Sequence, residues 1–350
     1  MSNRTYLVAR NSQKSPFALP APDLAHVLGR AGGELGELCG KRLFVTGGTG
    51  FFGKWLLGSL LKAGSERKLG LRVAVLSRDP ALFLRQFPEA GALQFVKGRV
   101  ADFSPPPERF DYVVHAATET SSVETPAQEE ERVRAMIAGT RRVLDLARRD
   151  GARLLYVSSG AVYGSFVGRR SGAKEDDFEA AQPLFPYAAG KREAEGLCAQ
   201  SGLDFVSARG FAFLGPHLPL DAHFAAGNFL RDALRGGPVI VRGDGTALRS
   251  YLHPADLVVW LLRILLRGRR ARAYNVGSDE AVTTAQLARL IADAVDPSMA
   301  VTVQSSQPLG PQNVYLPDIS RARTELGLDV WIPLREAIAR TVAFHRGTVR

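Results

Sequence analysis

Leu43 to Leu56 reads LFVTGGTGFFGKWL. A short apolar run, Leu43-Phe44-Val45, enters a glycine turn at Thr46, and the chain leaves it after Gly53 as an apolar helix through Trp55, Leu56 and Leu57. Glycines at 47, 50 and 53 give the order strand, tight turn, helix N-terminus. Glycine tolerates positive φ and has no side chain to hold a ligand away, so the backbone can approach a pyrophosphate. The free N–H groups of the first helical turn then point at that anion. A glycine triplet alone is a weak signal. Its place between a strand and a helix makes it a candidate dinucleotide-binding turn.

Outward from this turn, strand and helix periods alternate. Strands are expected at Leu43–Thr46, Arg72–Leu76, Leu93–Val96, Tyr112–His115, Leu154–Ser158, Phe205–Ala208 and Val239–Val241. Helices are expected between them at Gly53–Ala63, Pro80–Phe87, Glu129–Arg149 and Tyr187–Ser201. Apolar strands separated by helices imply a parallel sheet covered on both faces, with its ligand at the C-terminal strand ends. The expected fold class is α/β, a doubly wound parallel (Rossmann-like) sheet with a smaller C-terminal substrate-binding region. After Gly210 the pattern loosens, with more Pro and Gly and helices near Ala222–Leu234, Ala255–Leu266 and Thr284–Val295. Residues 1–40, apolar and helical through Leu24, Val27, Leu28, Leu35 and Leu38, precede the first strand and read as an added extension. The layout is then an extension over 1–40, a dinucleotide-binding domain over 41–210 and a mainly substrate-binding region over 211–350.

Composition narrows the class. The 350 residues are 45% hydrophobic and 23% charged, with a net charge of +10. The most apolar segment, LVVWLLRILL at Leu257–Leu266, is broken by Arg263 and is shorter than the roughly 20 residues of a membrane span. The arginines are dispersed without an aromatic-basic stripe, which argues against nucleic acid. The cluster from Arg267 to Arg272 ends an apolar helix and reads as a solvated cap on its dipole. Two cysteines, Cys39 and Cys198, form no metal or disulfide framework. No metal is expected, and a reducing cytoplasm fits.

Three downstream pieces carry chemistry. An apolar strand ends in two hydroxyls at Ser158 and Ser159. Tyr187 and Lys191 lie four apart on one helix face. A phenol titrating near 10 is a poor base at neutral pH, and a nearby ammonium favours its phenolate. The Ser159 hydroxyl can hold the same substrate oxygen against Tyr187. Together they take a proton from an alcohol while its carbon gives hydride to a nicotinamide. The end of the second strand, Ser77-Arg78-Asp79, bears on cofactor choice: an arginine there suits the 2′-phosphate of NADP, while an acidic residue suits the NAD ribose. NAD is expected, with NADP as the alternative because of Arg78.

TGGTGFFG at Thr46–Gly53, HAAT at His115–Thr118, SSGAVYG at Ser158–Gly164 and YAAGK at Tyr187–Lys191 together resemble the extended short-chain dehydrogenase/reductase family of nucleotide-sugar epimerases, dehydratases and decarboxylases. RGFAFLGP at Arg209–Pro216, GDGTALRSYLHPADL at Gly243–Leu257, YNVGS at Tyr274–Ser278 and DISRARTELGL at Asp318–Leu328 extend the resemblance. It implies Ser159, Tyr187 and Lys191 as catalytic residues. It implies Gly47, Gly50, Phe51, Phe52 and Gly53 as the pyrophosphate turn, with Ser77, Arg78 and Val100 toward the adenosine. Ala116, Ala117, Thr118 and Phe211 would lie near the nicotinamide. Asn228, Leu230 and Arg249 would meet the sugar nucleotide, Arg249 at its diphosphate, where a planar guanidinium grips phosphate oxygens. A homodimer is implied too.

Departures are equally specific. Arg99 stands at the family's adenine-binding aspartate position, and Ala212 and Met136 at positions often held by asparagine. Gly160 and Ala161 occupy places where dehydratases carry an acid pair and decarboxylases a glutamate; neither can transfer a proton. Glu119 is the nearby carboxylate that keeps elimination open, and His217 and His223 fall where a substrate lid is expected. Transient oxidation of a nucleotide sugar at C4, ending in epimerisation, is the expected outcome, with 4,6-dehydration or 4-ketosugar reduction as alternatives. A catalytically inert dinucleotide-binding regulatory protein is the contrasting class, against which the intact Ser159, Tyr187 and Lys191 argue.

Overall fold

β1 (Arg42–Thr46) is buried along almost its whole length, and its side chains alternate between two cores. Phe44 packs with Val143, Leu144 and Cys198 on one face of the sheet, while Leu43 and Val45 join Trp55, Leu57 and Trp260 on the other. Such two-faced burial is what a near-continuous apolar strand requires. The computed structural model describes residues 16–118, 125–164, 166, 171–180, 185–222, 224–305, 307 and 310–348.

From β1 the chain runs through β2 (Arg72–Ser77), β3 (Gln94–Lys97), β4 (Tyr112–His115), β5 (Arg153–Ser159) and β6 (Phe205–Gly210). After two short strands, β7 (Val239–Val241) and β8 (Leu248–Arg249), comes β9 (Arg272–Val276). The main sheet has the order β3-β2-β1-β4-β5-β6-β9, all parallel. Order reverses between β1 and β4, so the glycine turn lies where an open parallel sheet has its crevice. β9 was not among the expected strands; five residues behind an arginine cluster carry no period to read, and their pairing with β6 is wholly non-local.

The helices α1 (Ala21–Arg30), α2 (Gly32–Glu37), α3 (Phe51–Arg67), α4 (Pro80–Gln86), α5 (Pro126–Asp150), α6 (Pro186–Gln200), α7 (Ala225–Leu234), α8 (Pro254–Arg267), α9 (Thr284–Val295), α10 (Ser320–Leu326) and α11 (Leu334–Thr348) complete the order. α5 and α6 pack together on one face of the sheet; α3 and α8 pack together on the other. The extension is built into that second layer. α1 and α2 lie on α3 and α8, with Leu24, Val27, Leu28, Leu35 and Leu38 buried. His26 Nε2 meets Asp256 Oδ1 at 2.7 Å, and Arg263 Nε donates to Glu34 Oε1 at 2.8 Å.

Arg267 pairs with Glu37, Arg269 and Arg272 with Glu325, and Arg270 donates to the Gly202 carbonyl. The arginine cluster is thus tied to neighbouring elements rather than only solvated. β10 (Val282–Thr283), β11 (Val301–Val303) and β12 (Val314–Tyr315) make two small sheets, β10-β8-β12 and β11-β7. The first of these places Tyr315 opposite Arg249. Among the described residues, no helix is long and apolar enough to cross a membrane.

Candidate active site

Gly47 adopts φ +74°, and a β-carbon on it would lie 2.6 Å from the Ala116 carbonyl. No side chain fits where the ends of β1 and β4 meet. Gly53 is as constrained: its β-carbon would sit 2.3 Å from the Gly48 carbonyl, so the first turn of α3 lies directly on the loop. Gly50 caps α3. The amides of Phe51, Phe52 and Gly53 follow it as first-turn donors, which no intrahelical carbonyl can accept. A cradle of bare backbone with helix-start amides suits the pyrophosphate of NAD. Phe52 is fixed edge-on to Phe213 at 4.7 Å.

The loop after β4 is held by a chain of hydrogen bonds beneath it. Thr140 donates its hydroxyl to the Met136 carbonyl at 2.9 Å, so its oxygen accepts from His115 Nε2 at 3.2 Å. His115 Nδ1 is then the acceptor, at 2.8 Å, for the Thr46 hydroxyl, which in turn accepts from the Ala117 amide at 3.2 Å. Burial pulls His115 down to about 3, which keeps this tautomer neutral. The glycine turn and the Ala116–Thr118 segment thereby share one anchor.

At the tip of β2, Ser77 is buried and Arg78 is exposed. Asp79 spends its carboxylate capping α4, accepting from the Leu82 amide at 2.9 Å. Val100 packs on Gly139, where a β-carbon would lie 2.8 Å from it.

Ser159 ends β5 in extended conformation, with its Oγ accepting from the Ala161 amide at 3.2 Å. α6 presents Tyr187 in its first turn and Lys191 one turn later. Lys191 Nζ donates to Thr118 Oγ1 at 2.7 Å and to the Val157 carbonyl at 2.8 Å. Burial pulls this ammonium down to about 7. Tyr187 is pushed up by burial, opposed by the Ser159 hydroxyl and by the Arg132 guanidinium. The guanidinium carbon of Arg132 lies 5.2 Å from the centre of the Tyr187 ring. Ser159 and Tyr187 therefore meet, while Lys191 one turn along α6 spends its hydrogen bonds on Thr118 and β5, and a cation from α5 faces the phenol.

A buried ion pair steadies α6. Arg209 of β6 grips Glu195 through Nε and Nη2 at 2.7–3.2 Å, and its Nη1 donates to Tyr163 Oη at 2.9 Å. Tyr163 donates to Asn275 Oδ1 at 2.6 Å. The helix bearing the phenol is thus bolted to β5, β6 and β9.

An aromatic wall closes the site beyond Ser159. Phe211 stacks near Tyr163 and lies 4.9 Å from the Tyr315 ring; a β-carbon on Gly160 would be 2.8 Å from the Phe211 ring. Tyr315 also packs edge-on to Phe166 at 4.7 Å. Arg249 lies over Tyr315 at 5.7 Å and donates to the carbonyls of Leu248 and Asn313 and to Asn313 Oδ1, at 2.7–3.1 Å. Burial lowers its pKa. Its contacts among the described residues are neutral oxygens, so its charge suits an anion.

Asn228 accepts from Arg231 at 3.1 Å, and the Leu230 side chain is wholly buried in the core. His217 meets the Phe17 carbonyl at 2.7 Å and packs against the Phe87 and Phe344 rings. Glu119 and His223 lie outside the described residues. Arg132, Asn313, Tyr315 and the Thr46–His115–Thr140 anchor were not singled out from the sequence; each acts through a contact across distant segments, with no spacing that announces it.

Residues 43–277 match the model of the NAD dependent epimerase/dehydratase family. UDP-glucuronic acid decarboxylase 1 of Arabidopsis thaliana is 29% identical over 88% of this chain and 70% of its own length. Epimerase Mth375 from Methanothermobacter thermautotrophicus superposes with a TM-score of 0.76 at 25% identity, covering 90% of this chain and 95% of its own. The dTDP-glucose 4,6-dehydratase DesIV of Streptomyces venezuelae, solved with NAD bound, gives 0.73 at 26% identity over 87% of this chain and 97% of its own. With a matching family model, the parallel sheet and the glycine cradle, the chain belongs to the NAD dependent epimerase/dehydratase family, within the extended short-chain dehydrogenases/reductases, and is an NAD-dependent enzyme.

Proposed function

We propose that the enzyme epimerises a nucleotide-activated sugar at C4. The observation that carries this is the floor after Ser159. Gly160 and Ala161 offer no acid or base, and the Phe211 ring occupies the space a side chain at 160 would need. Bound NAD supplies a hydride acceptor that returns the hydride within the same turnover. Tyr187 takes the proton of the C4 hydroxyl as hydride leaves C4, and Ser159 holds the resulting carbonyl oxygen. Once the keto sugar has turned over and C4 is reduced again, Tyr187 would give the proton back. Atoms and electrons balance without a further acid, which elimination of water would require at C6. Arg249 holds the diphosphate while the sugar turns.

Incubation with a panel of UDP-, dTDP-, GDP- and CDP-sugars tests this: unchanged product mass with a new anomeric NMR pattern is expected, and loss of water or a net gain of two hydrogens overturns it. Decarboxylation of a nucleotide uronic acid is the second reading, favoured by the identity to a UDP-glucuronic acid decarboxylase. A 4-keto uronic acid is a β-keto acid, so its carboxylate leaves as CO2 once C4 is oxidised; release of CO2 from UDP-glucuronic acid would establish that reading instead. The nucleotide-sugar class and a homodimeric assembly are parts of the same proposal. Light scattering on the purified protein tests the latter.

A further inference from the structure

Arg132 sits in the second turn of α5, with only 15% of its side chain exposed. Its guanidinium is clamped by Glu129 one turn earlier on the same helix, while its Nε is buried with no hydrogen-bond partner among the described residues. A guanidinium so placed has been desolvated without being fully satisfied, and its neighbour is the ring of Tyr187 at 5.2 Å. Among the described residues, the charges and dipoles facing that phenol come from several elements. β5 supplies Ser159 with Tyr156 behind it, while Lys191, one turn along α6, lies 5.1 Å from the Tyr156 ring. β12 supplies Tyr315, over which Arg249 of β8 lies, and α5 supplies Arg132 with Glu129. Glu195, Cys198 and His115 face Lys191 rather than the phenol.

We propose that Arg132 is a second electrostatic partner of Tyr187, a guanidinium laid over the ring so that the phenolate forms against a permanent charge which Lys191 does not supply. The inference rests on Tyr187 being the base. A cation near an aromatic face gains modestly from the neutral ring and far more once the ring carries a phenolate. Lys191 is committed to Thr118 and Val157 and titrates near neutrality, whereas a guanidinium stays charged at every working pH. Arg132 therefore holds the phenolate where the ammonium fades. Because it acts through Tyr187, it is a positioning residue, and its signature is a titration midpoint rather than a bare loss of rate.

The test is an ultraviolet phenolate titration of the NAD-loaded protein. Each variant is subtracted from its Tyr187→Phe counterpart, so that one of the eight tyrosines is read alone. Arg132→Gln is expected to move the step upward by about one pH unit, a roughly tenfold smaller phenolate fraction at a pH below the midpoint. Arg132→Lys, which keeps a cation, is expected to fall between the two. A step at the same pH in wild type and Arg132→Gln, or no step in either below the pH of unfolding, overturns the proposal. Should Arg132→Gln fail to fold, Arg132→Lys and Glu129→Gln carry the comparison, and unshifted steps in both overturn it. Turnover by Tyr187→Phe in the sugar panel separates the outcomes: activity there sinks the base itself, while an inactive Tyr187→Phe with an unshifted Arg132→Gln sinks only this inference.

Discussion

Replacing Tyr187 by Phe removes one oxygen and keeps the ring beside Arg132 and Phe185. Turnover should fall by about 10²–10⁴-fold, the usual worth of a positioned acid–base group, while NAD affinity measured by calorimetry stays near wild type. Unchanged turnover would remove the phenol from the chemistry. Gly47→Ala makes the opposite split. Its methyl would meet the Ala116 carbonyl at a backbone angle few other residues adopt, so a loss of about 1–3 kcal/mol in chemical denaturation is expected together with weakened NAD binding. Retained stability and affinity would show that the turn relaxes freely. The glycine turn and the Tyr187–Lys191 pair were legible because each is local: four glycines in seven residues, and a phenol and an amine four apart. What tunes them was not, because Arg132, Tyr315 and His115 reach the site from other segments.

Among the elements, α6 shows how the catalytic helix is held. Arg209→Met leaves Glu195 buried without its cation, at a cost of about 3–5 kcal/mol. Adding Glu195→Met should recover part of that, and the difference between single and double variants measures the pairing in urea melts. A fully additive pair would mean the bolt is idle. α1 and α2 make a larger claim. They bury five apolar side chains, each worth about 1.5–3 kcal/mol, against a typical domain stability of about 5–15 kcal/mol. Deleting residues 16–40 should therefore abolish cooperative melting by circular dichroism; a sharp melt in the truncated chain would show the layer is dispensable. Their apolar spacing was visible in the sequence, but their destination was not, because the Glu34–Arg263 ion pair and the His26–Asp256 hydrogen bond join positions more than two hundred residues apart. β9 escaped for the same reason, while the six earlier strands of the sheet carried their own apolar runs.

Among the described residues, His115 and His253 are buried and His217 is half-buried: burial takes the first two to about 3 and the third to about 4. Each lies below its unfolded value of about 6.5, so the unfolded chain binds the extra protons and stability is lost as pH falls below that value. Urea midpoints should be level near pH 7 and drop steeply toward pH 4, with close to three protons taken up on unfolding in addition to those of the carboxylates. His115→Asn should flatten part of that slope; an unchanged slope would return the acid sensitivity to the carboxylates. The contact between Gly160 and Phe211 also sets the order in which this chemistry can be altered. A side chain installed at 160 would bring its β-carbon to 2.8 Å from the Phe211 ring, and shrinking that ring loosens Tyr163, Phe166 and Tyr315, which lean on it. An acid placed there therefore calls for a paired change, the ring first and the carboxyl second.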